Sequence, residues 1–574
     1  MKKSIWNEQA SSTEWNLADN WTPATVPTES AVFADSSQTV ITFSPSLQAT
    51  VENIEFSAGA CAYTLRFGTS SAAALTISGE GLKNFSGIQQ SFIVAATSSG
   101  YKTPQLKFTG SASAGGDDLY YCAGPESEQG YGGGVICFCD HANAGSASFK
   151  VWTGAGRPPP HNTVGGEVSF CDNTSAQDAR FTIYGSLGSD GDTFGNVVFH
   201  DSATAARASF TNVGGTVSGG DGGNTQFYGS STAARGVFYN YGGTHSKANG
   251  GDVAFDTQAN GGSGSYYNYA APAEGAYGGV TSFNNNPPHT PEHGASAGQG
   301  HYVTFGAREG ELGGGGHLEF SARYGSPTAA NATIVNYGST IEGKSSAGHT
   351  VFSINLPSDY FPSAGNASIW NHPAAKAGAA AGFTQFSIYG EGQAINGVPT
   401  AGEATLMNLG GYSENADGGY TIFSGTSSAA QSTLIAYGGS NNGYGGRIAF
   451  YDDASGGSAR VHLFGNAKLD LANHNSGITL GMLELNGGII ELQLGRLTTA
   501  LTLSGTLKLN ASEATFFLLT EENGGFEFNT VYTLLTAANL SEFTSQQFVA
   551  NSIEGIAPTF TISGNDLQVS YVKS

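Results

Sequence analysis

The sequence is poor in charge, and above all in basic residues. Only 12% of its 574 residues are Asp, Glu, Lys or Arg, and 22 Lys and Arg stand against 45 Asp and Glu, a formal net charge of −23. Nucleic acid and anionic membrane are thereby disfavoured, and no nucleic-acid partner is expected, because phosphate recognition needs clustered cations. Five cysteines (Cys61, Cys122, Cys137, Cys139, Cys171) are too few for a disulfide framework in so long a chain. No apolar run reaches the roughly 18 residues of a membrane-spanning helix, so no transmembrane segment is expected. The opening "MKKSIWNEQ" lacks an apolar segment behind its lysines, so no signal peptide is visible. Long stretches of helical periodicity are missing as well, which removes helical bundles.

Glycine is plentiful, with 84 residues, about twice the usual share. Between the glycines stand Val, Ile, Phe, Tyr, Thr and Ser, a vocabulary of strands and turns. An apolar fraction of 39% is enough for a core and too high for a disordered chain.

The chain repeats itself. "GNVVFHDSATAARASFTNVGG" from Gly195 and "GNTQFYGSSTAARGVFYNYGG" from Gly223 agree at more than half of their positions. A Phe recurs at Phe108, Phe138, Phe170, Phe199, Phe227, Phe255, Phe283, Phe320, Phe352, Phe386, Phe423 and Phe450, every 27 to 37 residues. Such a period marks a repeat architecture. A second apolar residue follows eleven positions on, at Leu119, Phe149, Phe181, Phe210, Phe238, Tyr266, Leu434 and Val461; with a longer gap it falls at Val303, Ile334, Ile369 and Leu406. Alternation with polar neighbours turns both residues inward. Two before the Phe stands Leu, Ile, Val or Thr, and two after the second apolar residue an Asn recurs, at Asn212, Asn240, Asn268, Asn336, Asn371 and Asn408.

Columns of like residues at a fixed place in the repeat are what stacked parallel strands produce. Short strands at this period fit a solenoid better than a propeller, whose blades need about 40 to 50 residues. The expected fold is an all-β, right-handed parallel β-helix of about twelve coils with atypical capping ends. Residues 1–100 form an N-terminal cap and the first coils, 101–471 the repeat solenoid, and 472–574 C-terminal β-rich coils and a cap. Trp6, Trp15 and Trp21 supply bulk for the first cap.

The opening "W…WNLADNWTPATVP", the Gly/Phe/Asn coils and the closing "LTLSGTLKLN…YTLL…NDLQVSYV" resemble bacterial autotransporter-associated β-strand repeat proteins, which are surface or secreted β-helical proteins. The resemblance covers nearly the whole chain, and its motifs are structural. It implies the fold, its handedness and a secreted or cell-surface location, and implies no activity. The residues after the last β run are too few for an autotransporter pore, and no sorting helix follows Tyr571, so self-secretion is not expected.

Coil alignment makes three outward groups worth testing. Cys139, Cys171 and His200 each directly follow the Phe of successive coils, with Cys137 and His141 nearby in "CFCDH". Unpaired thiols, a Zn site or a Cys139–Cys171 bridge are the three readings of this group. Asp140, Asp172 and Asp201, two after the Phe, make a carboxylate column, with Asp452 and Asp453 further on. They are turn residues, a Ca site or an acid–base pair. "PPHTPEH" offers His289, Glu292 and His293, but its prolines forbid the helix that a zinc hydrolase motif needs, which leaves a surface loop. That excursion, Asn284 to Gly316, is the longest in the array.

The third group is an outward apolar stripe one residue after the second inward position: Tyr239, Tyr267, Val335, Trp370, Met407 and Ile435, broken only by Thr304. Earlier coils carry Lys150, Thr182 and Thr211 there. Insertion loops, another copy of the chain or sugar rings are the candidates to cover it. The expected function is that of an extracellular or cell-surface structural or adhesive protein, non-catalytic and without a cofactor, acting through self-assembly or surface interaction. The alternative is a carbohydrate-active β-helix, either a polysaccharide binder or a tailspike-like depolymerase. That reading requires an acidic groove flanked by aromatics.

Overall fold

The computed structural model describes residues 2–44, 47–67, 73–95, 104–124, 133–153, 165–187, 194–284, 294–323, 325–343, 346–355, 359–389, 396–495, 499–510, 515–521 and 525–573. They form a parallel β-helix whose chain divides into two compact units, residues 1–282 and 283–574.

From Val135 to Asn268 in the first unit each coil has a four-residue strand, a one-residue bridge and a second four-residue strand. Val135–Phe138 pairs in parallel with Glu167–Phe170, and Ser148–Val151 with Arg180–Ile183. Between them Asn143 bridges Ser113 below and Ser175 above. Because successive coils are in register, like residues stack. Phe138, Phe170 and Phe199 lie 4.7 Å apart with nearly parallel rings. Phe149, Phe181 and Phe210 form a second pile 4.8 Å apart. The two piles meet edge to face, as Phe170 and Phe181 do at 6.0 Å and 78°. Each fully buried Phe contributes about 1.5–3 kcal/mol by leaving water, and each ring pair roughly a further 0.5–1.5 kcal/mol.

The turn before the second strand is held by a side chain. The Thr204 hydroxyl accepts the N–H of Ala206 (3.1 Å), which stands at φ 51°, and Thr232 serves Ala234 in the same way (3.0 Å). The return to the next coil needs glycine for closeness. A Cβ on Gly251 would sit 2.2 Å from the Asn212 carbonyl oxygen, so no larger residue fits.

The recurrent Asn residues are buried and form a ladder. Asn212 donates to Asn240 (2.8 Å), and Asn240 to Asn268 (2.7 Å). The Thr found two before some Phe residues completes it: Thr225 donates to Asn212 (2.9 Å) and Thr281 to Asn268 (3.0 Å). A buried amide network is stable only when its members are satisfied, and Thr supplies the missing donor.

The N-terminal end of this unit is closed by Lys3–Trp6, which pairs antiparallel with the two-residue strand Trp21–Thr22 and parallel with Ser30–Phe33. Trp21 packs edge-on against both Trp6 and Trp15, each at 5.0 Å. A two-residue edge leaves little template for another strand.

The second unit repeats the plan. Phe320, Phe352 and Phe386 stack at 4.7 Å, but the opposite column is aliphatic: Ile334, Ile369, Leu406 and Leu434. Its ladder runs from Asn336 through Asn371 to Asn408, each step 2.8 Å. The return then shortens until Arg460–Asp470 runs on as one strand, pairing with Thr433–Ala436 at its start and Arg447–Phe450 at its end. A separate sheet follows, in which Val531–Ala537 pairs antiparallel with Asp566–Ser570, and that strand antiparallel with Thr559–Ser563.

Two register expectations are corrected. Tyr121, not Leu119, stands over Phe149, since the "GGDD" turn there is two residues longer than in the next coil. Likewise Tyr302, not Val303, pairs with Ile334, and its hydroxyl donates to the Ala297 carbonyl (3.0 Å). Thr304 therefore belongs to the Asn column, where it donates to Asn336 (2.8 Å), and Val303 belongs to the stripe.

Candidate functional site

The carboxylate column is a turn device. Asp140, Asp172 and Asp201 stand at φ 60°, 55° and 53°, a left-handed conformation that Asp tolerates better than most residues. Each carboxylate accepts the N–H of the equivalent residue one coil earlier: Gly110 to Asp140 (2.8 Å), Asp140 to Asp172 (2.9 Å) and Asp172 to Asp201 (3.1 Å). Asp452 accepts the Gly425 N–H at 3.0 Å in the second unit. A carboxylate that caps a backbone amide in this way is a structural acceptor.

The expected metal set does not converge. Among the described residues no group of three or more His, Cys, Asp and Glu side chains is placed to hold a metal ion. Cys137, Cys139 and His141 belong to one coil and Cys171 and His200 to the next two, and side chains of successive coils in a parallel sheet run alongside one another. Cys139 and Cys171 form no disulfide bridge with each other. The Cys137 sulfur accepts the Ser169 hydroxyl at 3.3 Å. Desolvation raises Cys137 and Cys139, and pushes Cys171 up to about 11 with the two neighbouring thiols adding to the effect. Such groups persist as thiols near neutral pH. His289, Glu292 and His293 lie outside the described residues.

What remains is the outward face of the second strands. In the first unit Tyr239 and Tyr267 stack at 5.4 Å and 14°. In the second, Trp370 stands in register between Val335 and Met407, with Ile435 next, and is 37% exposed. A second outward column, unforeseen from sequence, runs beside the first. It follows the Asn ladder by one residue, so it points to the same side two residues along the strand. In the first unit it carries Trp152 stacked on Tyr184 (4.1 Å) and Tyr241 on Tyr269 (4.8 Å). In the second it carries Phe305 on Tyr337 (5.6 Å) and Tyr437 on Phe464 (5.3 Å). Tyr241, Tyr337 and Tyr437 are 44%, 38% and 37% exposed.

The chemistry of this face is uniform. From Ser148 to Tyr269 in one unit, and from His301 to Phe464 in the other, its outward positions hold no Asp or Glu; the only fixed charges are Lys150, Arg180 and Arg460. The first carboxylate is Glu484, paired with His462 at 3.4 Å. An open polar hollow of 510 Å³ lies at the edge of the face in the second unit, lined by Glu403, Gln431, Thr433, Ser458, Arg460 and Met482, with Gly481. It holds one carboxylate, where glycoside cleavage uses two. No protein-family model matches the chain and no curated protein is found similar to it, so its function is read from this surface.

Proposed function

We propose that this is an extracellular or cell-surface structural or adhesive β-helix protein of the autotransporter-associated repeat kind. In this reading it works by contact through the outward face of its second strands, and not by catalysis. The observation that carries it is the pair of aromatic and aliphatic columns without a single carboxylate, on a chain with 45 acidic residues. An apolar surface kept clear of carboxylates on so acidic a chain is a contact surface. The Asp column speaks against a depolymerase, since its carboxylates are occupied by backbone N–H groups.

Two double variants test the reading. Tyr267→Ser with Trp370→Ser should abolish both concentration-dependent rise in mass, read by light scattering, and retention on cell or polysaccharide surfaces. Asp172→Asn with Asp201→Asn should leave both unchanged. Release of reducing ends from a polysaccharide by the wild type, lost in the Asp variant with folding intact, would overturn it in favour of the enzyme.

A further inference from the structure

We infer that, in the second unit, the partner of this face is the same face of a second copy of the chain, packed across a two-fold axis near Trp370. The inference rests on the contact reading above and adds the identity of the partner.

Four observations select that partner. On the five strands from His301–Thr304 to Thr433–Ala436, the outward positions carry no Asp, Glu, Lys or Arg. A polyanion or a polycation finds no fixed charge there to bind, so the partner must be uncharged where it touches. Next, the rings lie against one another: Phe305 on Tyr337 is nearly parallel at 4°, and His372 sits 4.5 Å beyond Tyr337. Stacked rings spend their faces internally and offer edges outward, so this outer column is no platform for a sugar ring. Third, a net charge of −23 makes two copies repel in any pose that brings their acidic surfaces together; the acid-free face is where they approach at least cost. Fourth, the columns repeat once per coil, so a copy turned by 180° meets the same spacing and its rows can interleave.

Size sets the strength. The face spans four residues along the strand, about 13 Å, and four coil steps, about 19 Å. That mean plane of roughly 250 Å² falls well short of the ~800 Å² per partner of stable complexes. The pairing is therefore weak and reversible, and it responds to salt. Raising NaCl from about 10 mM to about 150 mM shortens the screening length from about 30 Å to about 8 Å. That weakens the mutual repulsion and leaves the apolar contact intact.

Sedimentation velocity on the full chain at those two salt concentrations is the test. The mass should rise with protein concentration, and more steeply at the higher salt. Trp370→Glu and Trp370→Lys should each be monomeric, with wild-type circular dichroism and melting, while a one-to-one mixture of the two regains the dimer. Ile435→Glu, one step removed from Met407 in the stripe, should also lose it. A monomer at every concentration and both salts overturns the inference, as does association that weakens with salt or survives both Glu substitutions. Surface adhesion without self-association would also overturn it while leaving the contact-face reading standing; absence of both would end both.

Discussion

Replacing Asn371 by Ala breaks the ladder at its centre, and the cost can be worked bond by bond. The Asn371 amide donates to Asn408 Oδ1 (2.8 Å) and to the Tyr420 carbonyl (3.0 Å). Its carbonyl oxygen accepts from Asn336 Nδ2 (2.8 Å) and from the Thr384 hydroxyl (3.0 Å). A fifth, longer contact runs from its Nδ2 to the Thr421 hydroxyl (3.3 Å). At about 1 kcal/mol net each, the four shorter bonds amount to about 4 kcal/mol. Two partners keep something: Asn336 Nδ2 still reaches the Phe383 carbonyl (3.1 Å), and Asn408 Oδ1 still accepts from Thr421 (3.0 Å). The Thr384 hydroxyl loses its acceptor in a buried site. The expected loss is about 3 kcal/mol, a fall in melting temperature of roughly 6–12 °C for a domain of a few hundred residues. Differential scanning calorimetry of Asn371→Ala beside Asn366→Ala, an exposed amide outside the ladder, reads it directly. If the two variants melt within a degree of each other, the ladder does not hold the coils as described.

Three further outcomes follow from the same geometry. Asn408 ends the ladder opposite Ala436 with a buried Nδ2 that has no partner, so Ala436→Ser should supply an acceptor and stabilise by about 1 kcal/mol; a melting temperature lowered as much as in Ala436→Val would contradict this. His317 stacks on His349 at 5.3 Å; desolvation, aided by His349, lowers His317 to about 3, and desolvation lowers His349 too. Both are held towards the neutral form when folded, so the share of His317 in stability is full above pH 6.5 and is lost as pH falls from 6.5 towards 3, by up to about 1.4 kcal/mol per pH unit, and that of His349 is lost in the same direction. His317→Gln should accordingly narrow the melting difference between neutral and mildly acid pH, and an unchanged difference would refute the point. Cys171, raised to about 11, should react with a maleimide slowly at neutral pH and about tenfold faster per pH unit up to that value; rapid labelling at neutral pH, followed by mass spectrometry, would show a thiolate that the surroundings should not allow.

The coils were legible because their period and inward columns are written in residue type: Phe, a second apolar residue, then Asn, at recurring spacings. Counting a constant eleven residues failed where the turn changed length. The extra "GG" and "DD" before Tyr121, and the Gly300-x-Tyr302 pattern that copies Gly264-x-Tyr266, were the available signals. The second aromatic column was visible in part, as Tyr241, Tyr269 and Tyr337 directly after Asn240, Asn268 and Asn336, two residues beyond the stripe. The cysteines show the opposite limit. Column arithmetic placed Cys139 and Cys171 on neighbouring coils, yet adjacency in a parallel sheet aligns side chains without turning them to a common point. Likewise the Asp column could be read as acid or as turn until the partner N–H groups were known.

Hydroxyl-radical footprinting across a concentration series tests the central claim most directly. Trp370, Tyr337 and Tyr437 on the face should lose reactivity as concentration rises, while Tyr277, Tyr412 and Tyr444, exposed on the returns between coils, stay constant. Protection confined to the returns, or equal at both sets, would contradict the assignment of the second-strand face as the working surface.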